Sequence, residues 1–180
     1  MLWGFALWAG AAAAATLLAG TLYVSVQQSY RQGANDPQIE IAEDISLHMQ
    51  EGAAILDQVP KDSVDVGKSL SPFVIMYDTE GNPIAGNGYL NQKLIQVPKG
   101  VFDAAQASGE NRLTLEPQSG VRIAAVIKPF VGREANGYVL AGRSLREVEQ
   151  RESDLTKLVA LGWAGTLAVL LVAAFLNKIL

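Results

Sequence analysis

Three side chains of this sequence have the chemistry to bind a small ligand: Tyr77, Arg122 and Tyr138. Residues 121–130 are predicted to form a β-strand, and the side chains of a strand point alternately to its two faces. Positions 121, 123, 125 and 127 are apolar and predict the core face, whereas Arg122 and Lys128 share the other face. These two cations are either solvated or placed to hold an anionic ligand. Tyr77 and Tyr138, on two other predicted strands, either line a pocket with a hydroxyl or are buried as core residues.

Catalytic and metal-binding chemistry has little support in the composition. The chain has no cysteine, which excludes thiolate catalysis, disulfides, iron–sulfur clusters and cysteine zinc sites. Its single histidine, His48, excludes a multi-histidine metal site, and its position on or beside an apolar helical stripe predicts a packed residue. There is no nucleophile elbow and no glycine-rich phosphate loop, since the GNG of residues 86–88 is too short for one. We therefore expect no enzymatic activity, no metal site and no cofactor.

The charged residues are confined to the middle of the chain. Residues 2–26 and 158–176 are runs of 25 and 19 residues without Asp, Glu, Lys, Arg or His. At about 1.5 Å per residue, helices of these lengths reach or approach the ~30 Å hydrocarbon core of a bilayer. All 18 acidic residues and 13 of the 14 basic residues lie between the two runs. The predicted organisation is a transmembrane helix in residues 1–26, one polar domain in 27–157, and a second transmembrane helix with a short tail in 158–180.

The first apolar run has an alternative interpretation as a cleaved signal peptide, because its alanines suit a small-residue cleavage site. It has no Lys or Arg near its start and is longer than the usual ~7–15 apolar residues, which favours a retained anchor. The distribution of charged residues does not determine on which side of the membrane the domain lies. Basic residues flank the spans on the domain side, but the positive-inside rule is calibrated on loops shorter than about 60 residues. The net charge of the domain, −5, gives no electrostatic footprint for nucleic acid.

The polar segment begins with helical patterns. Residues 27–33 are able to continue the first helix, and Asn35, Asp36 and Pro37 are typical of a new helix start, with Asp36 as the cap. Apolar residues then recur at three- and four-residue steps. This periodicity predicts an amphipathic helix of about 22 residues that ends before Pro60.

Strand patterns follow. The predicted strands are residues 73–78, 84–90, 112–115, 121–130 and 138–141, with a short helix from Pro98 to Ala107 that Gly109 closes. Gly86 and Gly88 predict a bulge or a close backbone approach in the second strand. Residues 144–161 contain no Gly or Pro and predict one helix that leaves the sheet and enters the membrane. The predicted fold class is α+β: a five-stranded antiparallel sheet with a long N-terminal helix, flanked by two transmembrane helices.

Two segments resemble the PAS-like and Cache-type sensor domains of bacterial sensor kinases and chemoreceptors. FVIMYDTEGNPIA, residues 73–85, resembles their first hairpin, and GYVLAGRSL, residues 137–145, is similar to their final strand and exit helix. The resemblance covers roughly residues 27–176. It implies a PAS-like sheet in an extracytoplasmic, periplasmic domain with both termini cytoplasmic. It also implies a pocket between sheet and helices, for which Tyr77, Arg122 and Tyr138 are the candidate ligand-binding residues.

Receptors of this kind carry an output module after the second span, whereas only residues 177–180 follow here. We therefore expect a sensory or ligand-binding module that acts through a partner membrane protein, or as a homo-oligomer. The alternative is a structural accessory subunit of a larger membrane complex, with no ligand of its own. Small residues of the spans would permit close packing with a partner helix, namely Gly10, Gly20, Gly162, Gly165 and Thr166. The tryptophans are candidates for interfacial anchoring or partner contact: Trp3, Trp8 and Trp163.

Overall fold

The computed structural model describes residues 2–33, 36–133 and 135–179. The chain forms two compact units, Met1–Arg31 with Val148–Leu180, and Gln32–Glu147. It is an α+β protein with a five-stranded antiparallel sheet and a long apolar helix near each end. The predicted fold class is confirmed to this extent.

The two terminal helices could be membrane spans. Helix α1 is Leu2–Gly33 and helix α4 is Arg146–Ile179. Their candidate spans, Ala6–Tyr30 and Arg146–Leu176, have mean hydropathies of 1.6 and 2.3, and their apolar windows are 0% buried. Exposed apolar helices of this length are consistent with a two-pass membrane protein, because a bilayer removes their side chains from water. The predicted extension of α1 through residues 27–33 is confirmed. The helix predicted over residues 144–161 is confirmed from Arg146 onward, because Ser144 is the last residue of a strand.

The second unit is built around the five-stranded sheet, in the order β3-β2-β8-β7-β6 with every neighbouring pair antiparallel. Its strands are β2 (Phe73–Tyr77), β3 (Pro83–Gly86), β6 (Asn111–Gln118), β7 (Val121–Val131) and β8 (Asn136–Ser144). Strand β8 is the last in sequence and lies at the centre, between β2 and β7. The predicted short helix is α3, Lys99–Ser108, and it ends at Gly109 in the left-handed conformation with φ of 82°.

The predicted strand over residues 84–90 is wrong in one respect, because it divides at Asn87. Its first part is β3 of the large sheet, and its second part, β4 (Gly88–Leu90), belongs to a separate three-stranded sheet. In that sheet β4 lies between β1 (Val64–Asp65) and β5 (Lys93–Leu94). Of the two alternatives that the glycines predicted, the close backbone approach is confirmed, since a Cβ on Gly86 would lie 2.9 Å from Val74 O. The chain changes sheet between these glycines.

The predicted 22-residue helix is also too long. Helix α2 is Asp36–Glu51, and a short 3₁₀ helix, Ile55–Gln58, follows it. Gly52 ends α2 with φ of 98°; its N–H donates to Met49 O, and the next N–H, of Ala53, donates to His48 O. This pair of hydrogen bonds is the Schellman motif, which closes a helix at a glycine. Of the predicted helix start, Asn35 lies outside the described residues.

Both faces of the large sheet are covered. Helix α2 packs on one face, where the buried residues are Ala42, Ile45, Met49, Val74, Met76, Val126, Phe130, Val139 and Ala141. The other face carries α3 and the small sheet, and its buried residues are Val64, Val66, Phe73, Ile75, Tyr77, Ile95, Phe102, Ala105, Ile123, Ala125, Ile127 and Leu140. Because β2 is buried on both sides, its sequence FVIMY is apolar throughout instead of alternating.

Candidate functional site

Tyr77 lies on β2 and is fully buried. Its hydroxyl donates a 2.6 Å hydrogen bond to the backbone carbonyl of Ile95, which lies between β5 and α3. Burial raises the pKa of this phenol, so the hydroxyl keeps its proton and remains a donor. The Tyr77 hydroxyl, which the sequence made a candidate for ligand binding, is therefore hydrogen-bonded within the chain. It fixes the segment before α3 to the sheet.

Tyr138 is the neighbour of Tyr77 in the sheet, since the two residues are partners in the β2–β8 register. The ring of Phe102, on α3, packs against both, with centroid distances of 5.0 Å to Tyr77 and 4.9 Å to Tyr138. These three rings are called the aromatic cluster below. Tilted rings at such distances attract one another beyond their shared burial. The structure thus brings two of the three candidate residues together, and it adds Phe102, which the pattern of a short helix gave no reason to single out.

Arg122 is not part of the aromatic cluster. It shares the alternation of Ala124 and Val126 on β7, whose side chains lie on the face that α2 covers, and it is exposed. The side chains of Tyr77 and Tyr138 lie on the opposite face of the sheet, which α3 covers. The predicted core face of β7 is confirmed, but the face of Arg122 is also buried at its centre, because α2 packs there.

Lys128, the second cation on that face, has a partner on α2. Its ammonium lies 3.3 Å from Glu43 Oε1, and its side chain is 24% exposed. This ion pair joins α2 to β7. Lys128 is also six residues from Arg122 along the strand, which separates the two positions by about 20 Å. Arg122 and Lys128 are therefore too far apart to bind one small anion together.

His48 is exposed on α2, and the buried position of the stripe is taken by its neighbour Met49. The prediction of a packed histidine is wrong for this reason. The ring Nδ1 lies 3.0 Å from Gln58 Oε1, which ties the end of α2 to the 3₁₀ helix. Within residues 2–33, 36–133 and 135–179, no group of three or more His, Asp or Glu side chains has the geometry of a metal site.

The turn between β2 and β3 contacts the aromatic cluster at Phe102. Asp78 Oδ1 accepts hydrogen bonds from the backbone N–H groups of Glu80 and Asn82, at 2.9 and 2.8 Å. The side-chain amide of Asn82 also donates to Asp78 and, with these backbone donors, lowers the pKa of that carboxyl. A Cβ on Gly81 would lie 2.7 Å from Phe102 Cε2, so the turn backbone rests directly on that ring.

Polar side chains join the two apolar helices of the first unit. Trp163 Nε1 donates to Thr16 Oγ1 at 2.9 Å, and Thr156 Oγ1 donates to the Tyr23 hydroxyl at 3.3 Å. Trp163 therefore has a role within this unit. The span glycines do not mediate a close approach inside the unit, since a Cβ would meet no atom within 4 Å at Gly10, Gly20, Gly162 or Gly165. Packing of these positions against a partner helix stays a prediction.

No family model matches this sequence, and the curated proteins contain no match to it. The likeness to PAS-like domains therefore remains a resemblance carried by residues 73–85 and 137–145.

Tyr77→Phe is expected to destabilise the domain by about 2 kcal/mol, because it leaves the buried Ile95 carbonyl without its donor. Tyr138→Phe is the matched control. Its hydroxyl makes no hydrogen bond to the residues described here, so we expect a change below ~0.5 kcal/mol. Urea unfolding of the full chain in detergent, read by pulse proteolysis, measures both. Equal effects of the two substitutions would contradict the role given to the Tyr77 hydroxyl.

Proposed function

We propose that this chain is a two-pass membrane protein whose central, PAS-like domain acts by contact with a partner membrane protein, as an accessory subunit without a ligand of its own. Residues 73–85 and 137–145 support the PAS-like assignment, together with a five-stranded antiparallel sheet that has a helix on each face.

The observation that carries the proposal is the aromatic cluster. It occupies the place between sheet and helix where the resemblance implies a ligand pocket. A ligand bound there would have to displace a buried ring and break the 2.6 Å hydrogen bond from Tyr77 to Ile95. Arg122, the cation that would bind an anionic ligand, is on the other face of the sheet. Because these rings occupy the space between the sheet and α3, the domain would act through its surface, by contact with a partner.

The junction with α4 also supports action through a membrane partner. The central strand β8 ends at Ser144, and α4 begins two residues later at Arg146. Arg143 Nε donates to Leu70 O at 3.1 Å, Arg143 also pairs with Glu147 at 2.8 Å, and Arg146 donates to Gly67 O at 3.3 Å. The loop before β2 is therefore bonded to the first turn of α4, which couples a surface of the domain to the helix that continues as an apolar span.

The test is native purification of the full chain from membranes, followed by thermal-shift measurements with a metabolite panel. We expect a membrane protein at fixed stoichiometry with the chain and no saturable shift. A ligand-binding sensor is the competing function. It would give a saturable shift that Arg122→Ala removes and Arg112→Ala, an exposed arginine on the adjacent strand, does not. That result, or a chain without a stoichiometric partner, would overturn the proposal.

The proposal places the domain outside the cytoplasm, with both termini inside, as the resemblance implies. Because the chain has no cysteine, a single Ser108→Cys substitution in the exposed end of α3 gives a clean probe. A membrane-impermeant maleimide is expected to label this cysteine in spheroplasts with an intact inner membrane. Labelling only after the membrane is opened would reverse the topology.

A further inference from the structure

Strand β6 is the long free edge of the large sheet. Among the described residues its only neighbour in the sheet is β7, and it has eight residues, whereas β3 at the opposite edge has four. A free edge presents a row of unpaired N–H and C=O groups, which is a template for another strand. On β6, Leu113 and Leu115 pack against the core, while Arg112 and Thr114 alternate with them and are exposed. Glu116 is exposed as well and lies just after the last regularly paired residue, Leu115.

The sequence of this edge is self-complementary. If two copies of β6 pair antiparallel with Thr114 opposite its counterpart, each residue faces the one equally far from position 114 in the other direction. Arg112 then faces Glu116 of the second copy, and Leu113 faces Leu115. Directly opposite residues of an antiparallel pair lie on the same face, so charges meet charges and leucines meet leucines. The two-fold repeats both pairs, which gives two Arg–Glu and two Leu–Leu contacts.

Proline and charged side chains usually protect a sheet edge from pairing, but on β6 they do not prevent the antiparallel pair centred on Thr114. Pro117 has no N–H, but it would lie opposite Asn111, at the end of the ladder; Glu116 and Pro117 both lie within the irregularity between Leu115 and Gln118. Within one chain, Arg112 bonds Glu110, and Glu116 accepts from the N–H of Gly120 at 2.9 Å. These are local, exposed contacts, which charged side chains exchange at little cost.

We propose that two copies of this chain associate through β6, in an antiparallel pair centred on Thr114, so that two five-stranded sheets become one of ten strands. The occupant of the edge is a second copy because the edge complements itself in both charge and apolarity. The interaction is a β-strand addition in which main-chain hydrogen bonds supply affinity and the Arg–Glu pairs set the register.

Disulfide trapping tests the register in the full chain, which has no native cysteine. Thr114→Cys places two thiols at the two-fold axis, about 5 Å apart between Cβ atoms. We expect it to form a covalent dimer in native membranes with copper phenanthroline or a short bismaleimide. Gln118→Cys is the matched control on the same strand, because its two copies would be about 27 Å apart. Failure of Thr114→Cys to cross-link, or equal cross-linking of Gln118→Cys, would overturn the proposal.

A charge exchange tests the pairing itself. In the Thr114→Cys chain, Arg112→Glu or Glu116→Arg puts like charges opposite each other twice per dimer, and we expect cross-linking to slow about tenfold. The double exchange, Arg112→Glu with Glu116→Arg, restores both pairs and should recover the rate. These exposed substitutions leave the monomer folded, which thermal unfolding verifies. A double exchange that is folded but as slow as the single variants would contradict the proposed register.

Discussion

Gly142→Ala is expected to destabilise the domain by about 3 kcal/mol, because its new methyl group has no space. A Cβ at this position in β8 would lie 2.5 Å from Cζ and 3.0 Å from Cε1 of Phe73. Phe73 is 1% exposed, and a Cβ on Gly88 would overlap its ring from β4. Because the ring is confined between two glycine backbones, it cannot move aside, and overpacking in a closed core costs ~1–3 kcal/mol or more.

The matched control is Gly100→Ala, in the first turn of α3, where a Cβ would meet no atom within 4 Å. That change should be neutral or stabilising by up to about 1 kcal/mol, because alanine is the better helix former. Adding Phe73→Leu to Gly142→Ala should recover part of the loss, since the smaller side chain vacates the space. Urea unfolding of the full chain in detergent measures the wild type, the three single variants Gly142→Ala, Gly100→Ala and Phe73→Leu, and the double variant. Additive effects of Gly142→Ala and Phe73→Leu would show that the methyl group and the ring do not conflict.

The element types were largely predictable from local pattern. The apolar runs give the two long helices, Gly109 gives the end of α3, and turn residues 79–83 give the β2–β3 hairpin. The end of α2 was mispredicted for a physical reason. Gly52 falls on the three- and four-residue periodicity of the apolar stripe, but its backbone adopts φ of 98° and closes the helix there. Periodicity records side-chain polarity and carries no information on the backbone of a glycine.

The sequence predicted which face of its strand each candidate residue lies on, but it did not predict which residues each one contacts. Alternation along β7 correctly separates Ile123 and Ile127 from Arg122. It does not show which layer covers each face, so it could not reveal that Arg122 lies across the sheet from Tyr77. The partner of the Tyr77 hydroxyl is a backbone carbonyl at Ile95, in a segment without any periodic pattern. Contacts that depend on tertiary packing of irregular chain leave no mark on local sequence.

The small sheet was missed for a related reason. Strands β1 and β5 have two residues each, too short for any alternation to be read. Asn87 lies between β3 and β4, where the chain leaves the large sheet for the small one, and it is 3% exposed. Its flanking glycines predicted a bulge or a close backbone approach, and nothing in the pattern indicated that the Asn87 side chain itself is buried. A polar side chain is therefore buried and hydrogen-bonded at the point where the chain passes from one sheet to the other.

Asn87→Ala is expected to destabilise the domain by about 3 kcal/mol. Asn87 Oδ1 accepts from the N–H of Val74 at 2.8 Å, and Nδ2 donates to Asp62 O at 2.9 Å. The substitution leaves both backbone groups without these partners, and an unsatisfied buried group costs ~1–3 kcal/mol. Asn136→Ala, at the exposed start of β8, is the matched control and should change stability by less than ~0.5 kcal/mol.

The location of the damage distinguishes this explanation from a general loss of packing. The backbone of Asn87 also bonds the backbones of Val74 and Val64, at 2.9 and 2.7 Å, so this residue joins β2 of the large sheet to the strand β1 of the small one. Hydrogen exchange should therefore accelerate most at the amide of Val74, which loses its acceptor, and at the amides of Val64 and Val66 in the small sheet, while the β7–β8 ladder keeps its protection. Uniform acceleration across both sheets would mean that Asn87 stabilises the whole core instead of holding the small sheet to the large one.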